Sequence, residues 1–233
     1  MQMDSFPEGY RALVIGASGG IGAALVETLR ADPRCASVTE LARSTTPPLD
    51  LTDPASVGQT ATEVAGQGPF HLIINAAGVL HSDAFMPEKR LADLDHQQLL
   101  DTFQVNTFGP ALLLRHFCPL LDRQRGVLAM LSAKVGSIGD NRLGGWYSYR
   151  ASKAALNMLI KTAAIEVKRS QPNAVLLALH PGTVSSRLSQ PFRGSEIGRP
   201  ASEAADDLLR VIDGLGPEAS GGFYAYSGEG LPW

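Results

Sequence analysis

The sequence predicts an α/β fold, a single doubly wound parallel sheet with helices on both faces. Three observations carry this. Short, fully apolar runs alternate with stretches of helical periodicity along the chain. The first apolar run passes directly through a Gly-rich turn into a helix. No internal repeat, linker or low-complexity block interrupts the alternation, so residues 1–233 read as one domain.

Composition narrows the function classes. Of the 233 residues, 44% are aliphatic or aromatic and 18% are charged. That charge content lies below the globular average of about 25%, as a well-buried core requires. The net charge of −3 argues against non-specific nucleic-acid binding. Cys35 and Cys118 are the only cysteines and no CxxC occurs, which points to a reducing compartment. Residues 1–9 have neither a basic region nor an apolar core, so they do not read as a signal peptide. No apolar run approaches the roughly 18 residues of a membrane span. The expectation is a soluble, cytoplasmic protein without a membrane or nucleic-acid partner.

Ala12–Ile15 is apolar throughout, as a parallel strand buried on both faces should be. Gly16-Ala17-Ser18-Gly19-Gly20-Ile21-Gly22 follows, then a helical pattern from Ala23 to Arg30 that stops before Asp32-Pro33. Glycines at 16, 20 and 22 let the backbone turn tightly, approach a pyrophosphate and pack helix on strand. The helix N-terminus adds free N–H groups and the positive end of its dipole. Many loops hold three glycines; the strand–turn–helix setting is what favours a nucleotide.

The second strand, Val38–Arg43, ends in Ala42-Arg43-Ser44. A strand end that meets NAD usually carries Asp or Glu for the ribose hydroxyls. None is present, and Arg43 suits a 2′-phosphate. NADP(H) is therefore expected over NAD(H), the alternative for Arg43 being a solvated strand-end side chain. Leu49-Asp50-Leu51-Thr52-Asp53-Pro54 leads into a helix that runs to about Ala65, with Asp53 or Thr52 as its cap and Pro54 in the first turn. Phe70–Ile74 is the next buried strand, ending in Asn75-Ala76-Ala77-Gly78. Small residues there admit a flat ligand close to the backbone, or simply make a tight turn.

Residues 79–95 are irregular and polar. His96–Leu121 is helical but interrupted at Asn106–Pro110. Pro110 lacks the N–H that would bond the Asn106 carbonyl, which frees that carbonyl for a water and should kink the helix. An ordinary Pro kink beside an incidental Asn is the alternative. Val127–Leu131 is a strand with Ser132 at its end, and a loop holding Gly136, Gly139, Gly144 and Gly145 then reaches Trp146. From Ser148 to about Arg169 no Gly or Pro occurs and apolar residues recur at helical spacing. Tyr149 and Lys153 are i and i+4 on that helix, so they share a face. A cation beside a phenol favours the phenolate and makes a proton donor or acceptor useful near neutral pH. The alternative is a chance pair on a helix surface. Ala174–Leu179 is a strand closed by His180-Pro181-Gly182-Thr183-Val184. Residues 185–200 form an aperiodic segment of the kind used as a lid. Ser202–Asp213 is a helix with Ser202 or Ala201 near its cap, and Gly222–Tyr226 is the last strand.

The combination of GASGGIG at 16–22, Asp50-Leu51, NAAG at 75–78, Asn106, Ser132, Tyr149-x-x-x-Lys153 and Pro181-Gly182, in this order and spacing, resembles the short-chain dehydrogenase/reductase family over nearly the whole chain. SAKVGS at 132–137, GGWYSYRASKAALN from Gly144 and the terminal GLPW resemble its C-factor and Sniffer-like carbonyl reductase branch. The resemblance implies a Rossmann fold of seven parallel strands in the order 3-2-1-4-5-6-7, one NAD(P)-binding domain over residues 1–233, and hydride transfer between a nicotinamide and a carbonyl or alcohol. It implies that Tyr149 is the acid in reduction and the base in oxidation. Lys153 would bind the nicotinamide ribose and lower the Tyr149 pKa, and the Asn106 carbonyl would hold a relay water. Cofactor contacts would come from Gly16, Ser18, Gly19, Gly20, Ile21, Arg43, Asp50, Leu51, Asn75, Ala76, Ala77, Gly78, Pro181, Gly182, Thr183 and Val184, with Tyr149 and Lys153. No metal is implied. A homo-oligomer, dimer or tetramer, is implied, with Phe103, Phe108, Leu112 and Phe117 assigned either to its face or to the core.

One position departs from the pattern. Counted from Gly126 or back from Gly136, the family's carbonyl-orienting Ser falls on Ala133, and Ser132 is one place early. A one-residue slip on an extended strand turns the side chain to the other face. Either the chain is shifted locally and Ser132 supplies the hydroxyl, with Ser137 as fallback, or the site lacks it; Ser132 is the expectation. The leading function is an NADP-dependent oxidoreductase acting on a small or medium carbonyl, with Leu143, Trp146, Leu188 and Phe192 as candidate apolar substrate contacts, ordinary loop packing being the alternative for each. The alternative is an NADP-sensing or C-factor-like signalling protein with weak or no turnover. A nucleotide-binding fold without chemistry is the third reading.

Overall fold

The computed structural model describes residues 1–233, apart from the side chain of Ser195. Six strands form one sheet: β1 Tyr10–Ile15, β2 Cys35–Leu41, β3 Leu72–Asn75, β4 Val127–Leu131, β5 Val175–His180 and β6 Gly222–Ala225. Their order is β2-β1-β3-β4-β5-β6, and every neighbouring pair is parallel. The helices are α1 Gly20–Arg30, α2 Pro54–Val64, α3 His96–Phe103, α4 Gly109–Phe117, α5 Tyr147–Val167, α6 Gly194–Ile197 and α7 Ala201–Gly214.

The sheet divides two cores, and strand periodicity explains how. Alternate residues of a strand point to opposite faces. Leu13, Ile15, Ile73, Leu128, Met130 and Leu176 pack with Val57 of α2, Leu113 and Phe117 of α4, and Leu156 and Ile160 of α5. Their neighbours Val14, Ile74, Ala129 and Leu177 pack on the other side with Leu25 and Leu29 of α1 and Leu208 and Ile212 of α7. Central strands covered on both faces need apolar residues throughout, which is why β3 and β4 are buried at every position.

The seventh strand implied by family resemblance does not form among the described residues. Its place falls on Leu49-Asp50-Leu51, which is irregular here. The backbone groups of this segment are used in turns: the Leu49 N–H bonds the Ala42 carbonyl, and the Asp50 N–H bonds Ser56 Oγ. Asp53 is the cap of α2, accepting from the Ala55 N–H at 2.9 Å. The interruption around Asn106 is a π turn, Gln104–Phe108, joining α3 to α4. Residues 185–200 include the short α6, and α7 begins at Ala201 after Pro200, so Ser202 lies inside the helix rather than at a side-chain cap.

Because all strands run the same way, Gly16, Asn75, Ser132 and the segment after His180 emerge at one edge of the sheet. The chain goes outward from β1 to β2 and returns to β3 on the other side of β1, so a crevice opens between the ends of β1 and β3. Among the described residues, no helix is long and apolar enough to cross a membrane.

Candidate active site

The Gly-rich turn lies at that crevice. Gly16 has φ +78°, and a Cβ on it would lie 2.7 Å from the Ala77 nitrogen. Both the conformation and the contact with the Asn75–Gly78 turn therefore need glycine. At Gly22 a Cβ would overlap the Gly16 carbonyl, so this glycine seats α1 on the turn. Gly20 differs: a Cβ there would meet only Ser186, at 3.5 Å. Ser18, Gly19 and Gly20 are exposed, Ile21 is half-buried, and no side chain caps α1. The turn is braced by Gly16 and Ala17 N–H bonds to the Leu41 carbonyl, and by Ala77 N–H to Asn75 Oδ1 at 3.1 Å.

Arg43 lies exposed just beyond β2. Hydrogen bonds from Thr52 hold the Asp50 carboxyl below its usual range, helped by the Arg43 charge. Leu51 is buried against Gly109, where a Cβ would come within 2.6 Å of the Leu51 carbonyl.

Tyr149 and Lys153 are both buried on α5 and face the same edge of the sheet. Lys153 Nζ donates to the Leu131 carbonyl at 2.9 Å and lies 5.8 Å from the centre of the Tyr149 ring. A Cβ on Gly78 would sit 3.5 Å from Lys153 Nζ and 3.4 Å from Asn106 Oδ1, so the small-residue turn leaves space beside both. Burial pushes the Tyr149 phenol up to about 12 and the Lys153 ammonium down to about 8. Burial thus works against the lowering of Tyr149 that a neighbouring cation would give.

Asn106 is fully buried on the π turn. Its side chain pairs with the Val79 peptide, accepting from N–H at 2.9 Å and donating to the carbonyl at 2.7 Å. It also donates to Ser152 Oγ at 3.2 Å, while Thr107 Oγ1 donates to the Ser152 carbonyl. Asn106 thereby ties the Asn75–Gly78 turn to α5.

The expectation for Ser132 is corrected. Its hydroxyl donates to Asn157 Oδ1 at 2.6 Å and is buried away from the cleft. Ala133, on the opposite face, packs against Tyr149 with Leu80. Ser137 is also buried, and its Oγ accepts the Asp140 N–H. The position beside Tyr149 is therefore a methyl group. Val135, Trp146, Leu188 and Phe192 complete an apolar wall around Tyr149. Leu143 does not belong to it, being 90% exposed.

Two contributors escaped the sequence reading. His81 lies at the rim, edge-on to Phe192 at 5.9 Å, with Nε2 3.2 Å from the Arg187 carbonyl. Glu88, from the irregular 79–95 segment, is buried, and its carboxylate accepts the Ser148 N–H in the first turn of α5. A lone acid in a polar stretch gives no signal of this. Behind the wall, Gly182 has φ +77° and packs on the Tyr226 ring. Pro181 is half-buried, Thr183 is exposed, and Val184 is buried and bridged to Arg199. That bridge closes the base of the 185–198 segment. Among the described residues no cluster of His, Cys, Asp or Glu is arranged to hold a metal.

A family profile described as short chain dehydrogenase matches residues 10–196. The C-signal of Myxococcus xanthus is 36% identical over 169 residues, covering 71% of this chain and 94% of that protein. The 1-hydroxy-2-glutathionyl-2-methyl-3-butene dehydrogenase of Rhodococcus sp. (strain AD45) is 34% identical over 188 residues, covering 80% and 79%. Among solved structures, the NADPH-bound carbonyl reductase from chicken fatty liver superposes with a TM-score of 0.83 at 25% identity, covering 98% of this chain and 96% of that one. The carbonyl reductase Sniffer of D. melanogaster shares the fold at a TM-score of 0.82 and 24% identity, covering 97% and 99%.

Proposed function

The chain belongs to the short-chain dehydrogenase family of oxidoreductases, and from that premise we propose that it is an NADP(H)-dependent reductase of small or medium apolar carbonyl compounds. The observation that carries the reading is the burial of Tyr149 and Lys153 side by side against the Asn75–Gly78 turn and the apolar wall. The residues fit the dinucleotide. The uncapped start of α1 and the open space at Gly20 suit a pyrophosphate. Gly16, Ser18, Gly19, Gly20 and Ile21 would hold it, with Asp50, Leu51 and Asn75–Gly78 toward the adenosine and Pro181–Val184 toward the nicotinamide. Exposed Arg43 would meet the 2′-phosphate. The chicken carbonyl reductase, which binds NADPH, supports the same preference.

When bound, the nicotinamide supplies the hydride. Tyr149 gives its proton to the carbonyl oxygen, and protonated Lys153 compensates the phenolate that remains. The Asn106 carbonyl on its π turn is the proposed site of the water that returns the proton. With a methyl at Ala133, one oxyanion donor common in the family is missing, a loss of the kind that costs about 10²–10³ in rate. We also propose that residues 1–233 act as one cytoplasmic NAD(P)-binding domain in a homo-oligomer. The resemblance to C-factor proteins is the ground for a signalling alternative, but the buried Tyr149–Lys153 pair favours turnover.

The test is to titrate NADPH and NADH in parallel by nicotinamide fluorescence and then assay a carbonyl panel. NADPH should bind about ten-fold or more tighter, and Arg43→Ala should erase that preference. Tyr149→Phe should lower turnover by about 10²–10⁴ while still binding NADPH. Equal affinity for NADH would overturn the Arg43 assignment, and an active Tyr149→Phe variant would overturn the catalytic one.

A further inference from the structure

We propose that Trp146 sets the substrate size and shape preference of this site and that Glu88 is the positioning residue that aims it. The proposal rests on the reading that substrate reaches Tyr149.

Trp146 has φ 53° and ψ 45°, in the left-handed region that bulky residues avoid. It follows Gly144 and Gly145, both at positive φ, so a third glycine would have served the backbone better. Helix capping does not explain the tryptophan, because its side chain makes no cap hydrogen bond to α5. The cap comes from elsewhere. The Trp146 N–H donates to the Glu88 carbonyl at 2.5 Å. The buried Glu88 carboxylate accepts the Ser148 N–H at 3.2 and 3.3 Å and also the Ser148 hydroxyl. A carboxylate at a helix N-terminus satisfies open N–H groups and complements the dipole. Glu88 therefore holds on both sides of a residue whose own backbone opposes the conformation.

That conformation aims the indole into the wall. Its ring lies edge-on to Tyr149 with centroids 6.2 Å apart, and 5.0 Å from Phe192. Among the described residues the other non-glycine at positive φ is Arg193, next to Phe192. Unfavourable backbone is thus placed at Trp146 and at the residue that follows its partner Phe192, and such strain persists where surrounding structure and use maintain it. With Ala133, Leu80 and Val135 in the same cluster, the surroundings of the Tyr149 phenol are aromatic and aliphatic surface. The substrate class this fits is a carbonyl compound bearing a planar aromatic or bulky apolar group next to the carbonyl carbon.

The test compares 4-nitrobenzaldehyde with propanal, each with NADPH. In Trp146→Gly the ratio of kcat/KM for the aromatic over the small aldehyde should fall about ten-fold, mostly through KM, with a melting temperature no lower than wild type. Trp146→Phe should recover most of the ratio. Glu88→Ala should shift the ratio in the same direction, whereas Glu88→Gln, whose amide oxygen still accepts from Ser148, should keep it. A second readout is independent of turnover. In a Trp233→Phe background Trp146 is the one tryptophan left, and 4-nitrobenzaldehyde without NADPH should quench its emission saturably. An unchanged ratio in Trp146→Gly, or quenching that stays linear in aldehyde, overturns the role of Trp146. An unchanged ratio in Glu88→Ala overturns the role of Glu88. A failure of the Tyr149 reading looks different: Tyr149→Phe would keep its turnover while the ratio and the quenching still depended on Trp146.

Discussion

In the proposed reaction Lys153 is the side chain on which proton supply turns. Burial alone holds it at about 8, down from 10.5, and holds Tyr149 at about 12, up from 10.0. Tyr149 therefore keeps its proton across neutral pH, as an acid for reduction must, and Lys153 is the member that changes charge. On the proposed mechanism the ammonium present below about 8 would compensate the phenolate left after proton transfer, and above it that support would be lost. The expected profile of kcat/KM for NADPH, which reports the free enzyme, is flat near neutrality and falls about ten-fold per pH unit above about 8. A plateau extending to about pH 10 would contradict this assignment. Stability carries the opposite sign. The folded Lys153 pKa is depressed, so its burial penalty is complete below about 8 and is relieved between about 8 and 10.5. Ala133 is the second residue with a measurable consequence. Ala133→Ser places a hydroxyl against Tyr149, and kcat at saturating NADPH should rise about ten-fold or more, in the direction of a restored oxyanion donor. Ser132→Ala is the control: it removes the bond to Asn157, at a cost of about 1–3 kcal/mol in thermal stability with little change in kcat. The reverse pattern would return the role to Ser132.

At the scale of elements, what was legible in the sequence is what local physics determines. The central strands could be read because burial on both faces demands unbroken apolar runs, and α5 because a long stretch without Gly or Pro leaves helical spacing undisturbed. The Gly-rich turn could be read because Gly16 meets a conformational demand that its residue type advertises. The rest depends on partners distant in sequence. Pro110 announced an interruption, but its form as a π turn is tied to Asn106 gripping Val79 and Thr107 gripping Ser152. Pairing alone told that Ser132 and Ala133 face opposite ways; which one faces the cleft follows from where Asn157 and Tyr149 stand on α5. Glu88 was invisible because its burial is created by the start of α5, 60 positions away. The seventh strand was an expectation of kinship rather than of residues, and the hydrogen bonds of Leu49 and Asp50 go to turns instead.

At the scale of the whole molecule, α5 is the element whose packing is incomplete. Its inner side buries Tyr149, Lys153, Leu156, Ile160 and Ala164 against the sheet. The stripe on the other side runs Ala151, Ala155, Met158, Thr162 and Ile165 at helical spacing and carries no charge. Met158 is 66% exposed and Ile165 55%, with Phe108 at the end of the neighbouring π turn 45% exposed. A surface helix ordinarily turns charge outward, and one apolar on both sides is covered twice. The expectation is a homo-oligomer in which the outer face of α5 meets a second copy, burying on the order of 1,200–2,000 Å². Sedimentation at micromolar concentration should give a dimer or tetramer. The pair Met158→Glu and Ile165→Glu should give a monomer, because two desolvated carboxylates would face the partner without counter-charges. Since Tyr149 and Lys153 stand on the same helix, that variant should also melt earlier and lose turnover in proportion to the dissociated fraction. A wild-type chain that sediments as a monomer at these concentrations would leave the outer stripe uncovered and refute the assignment.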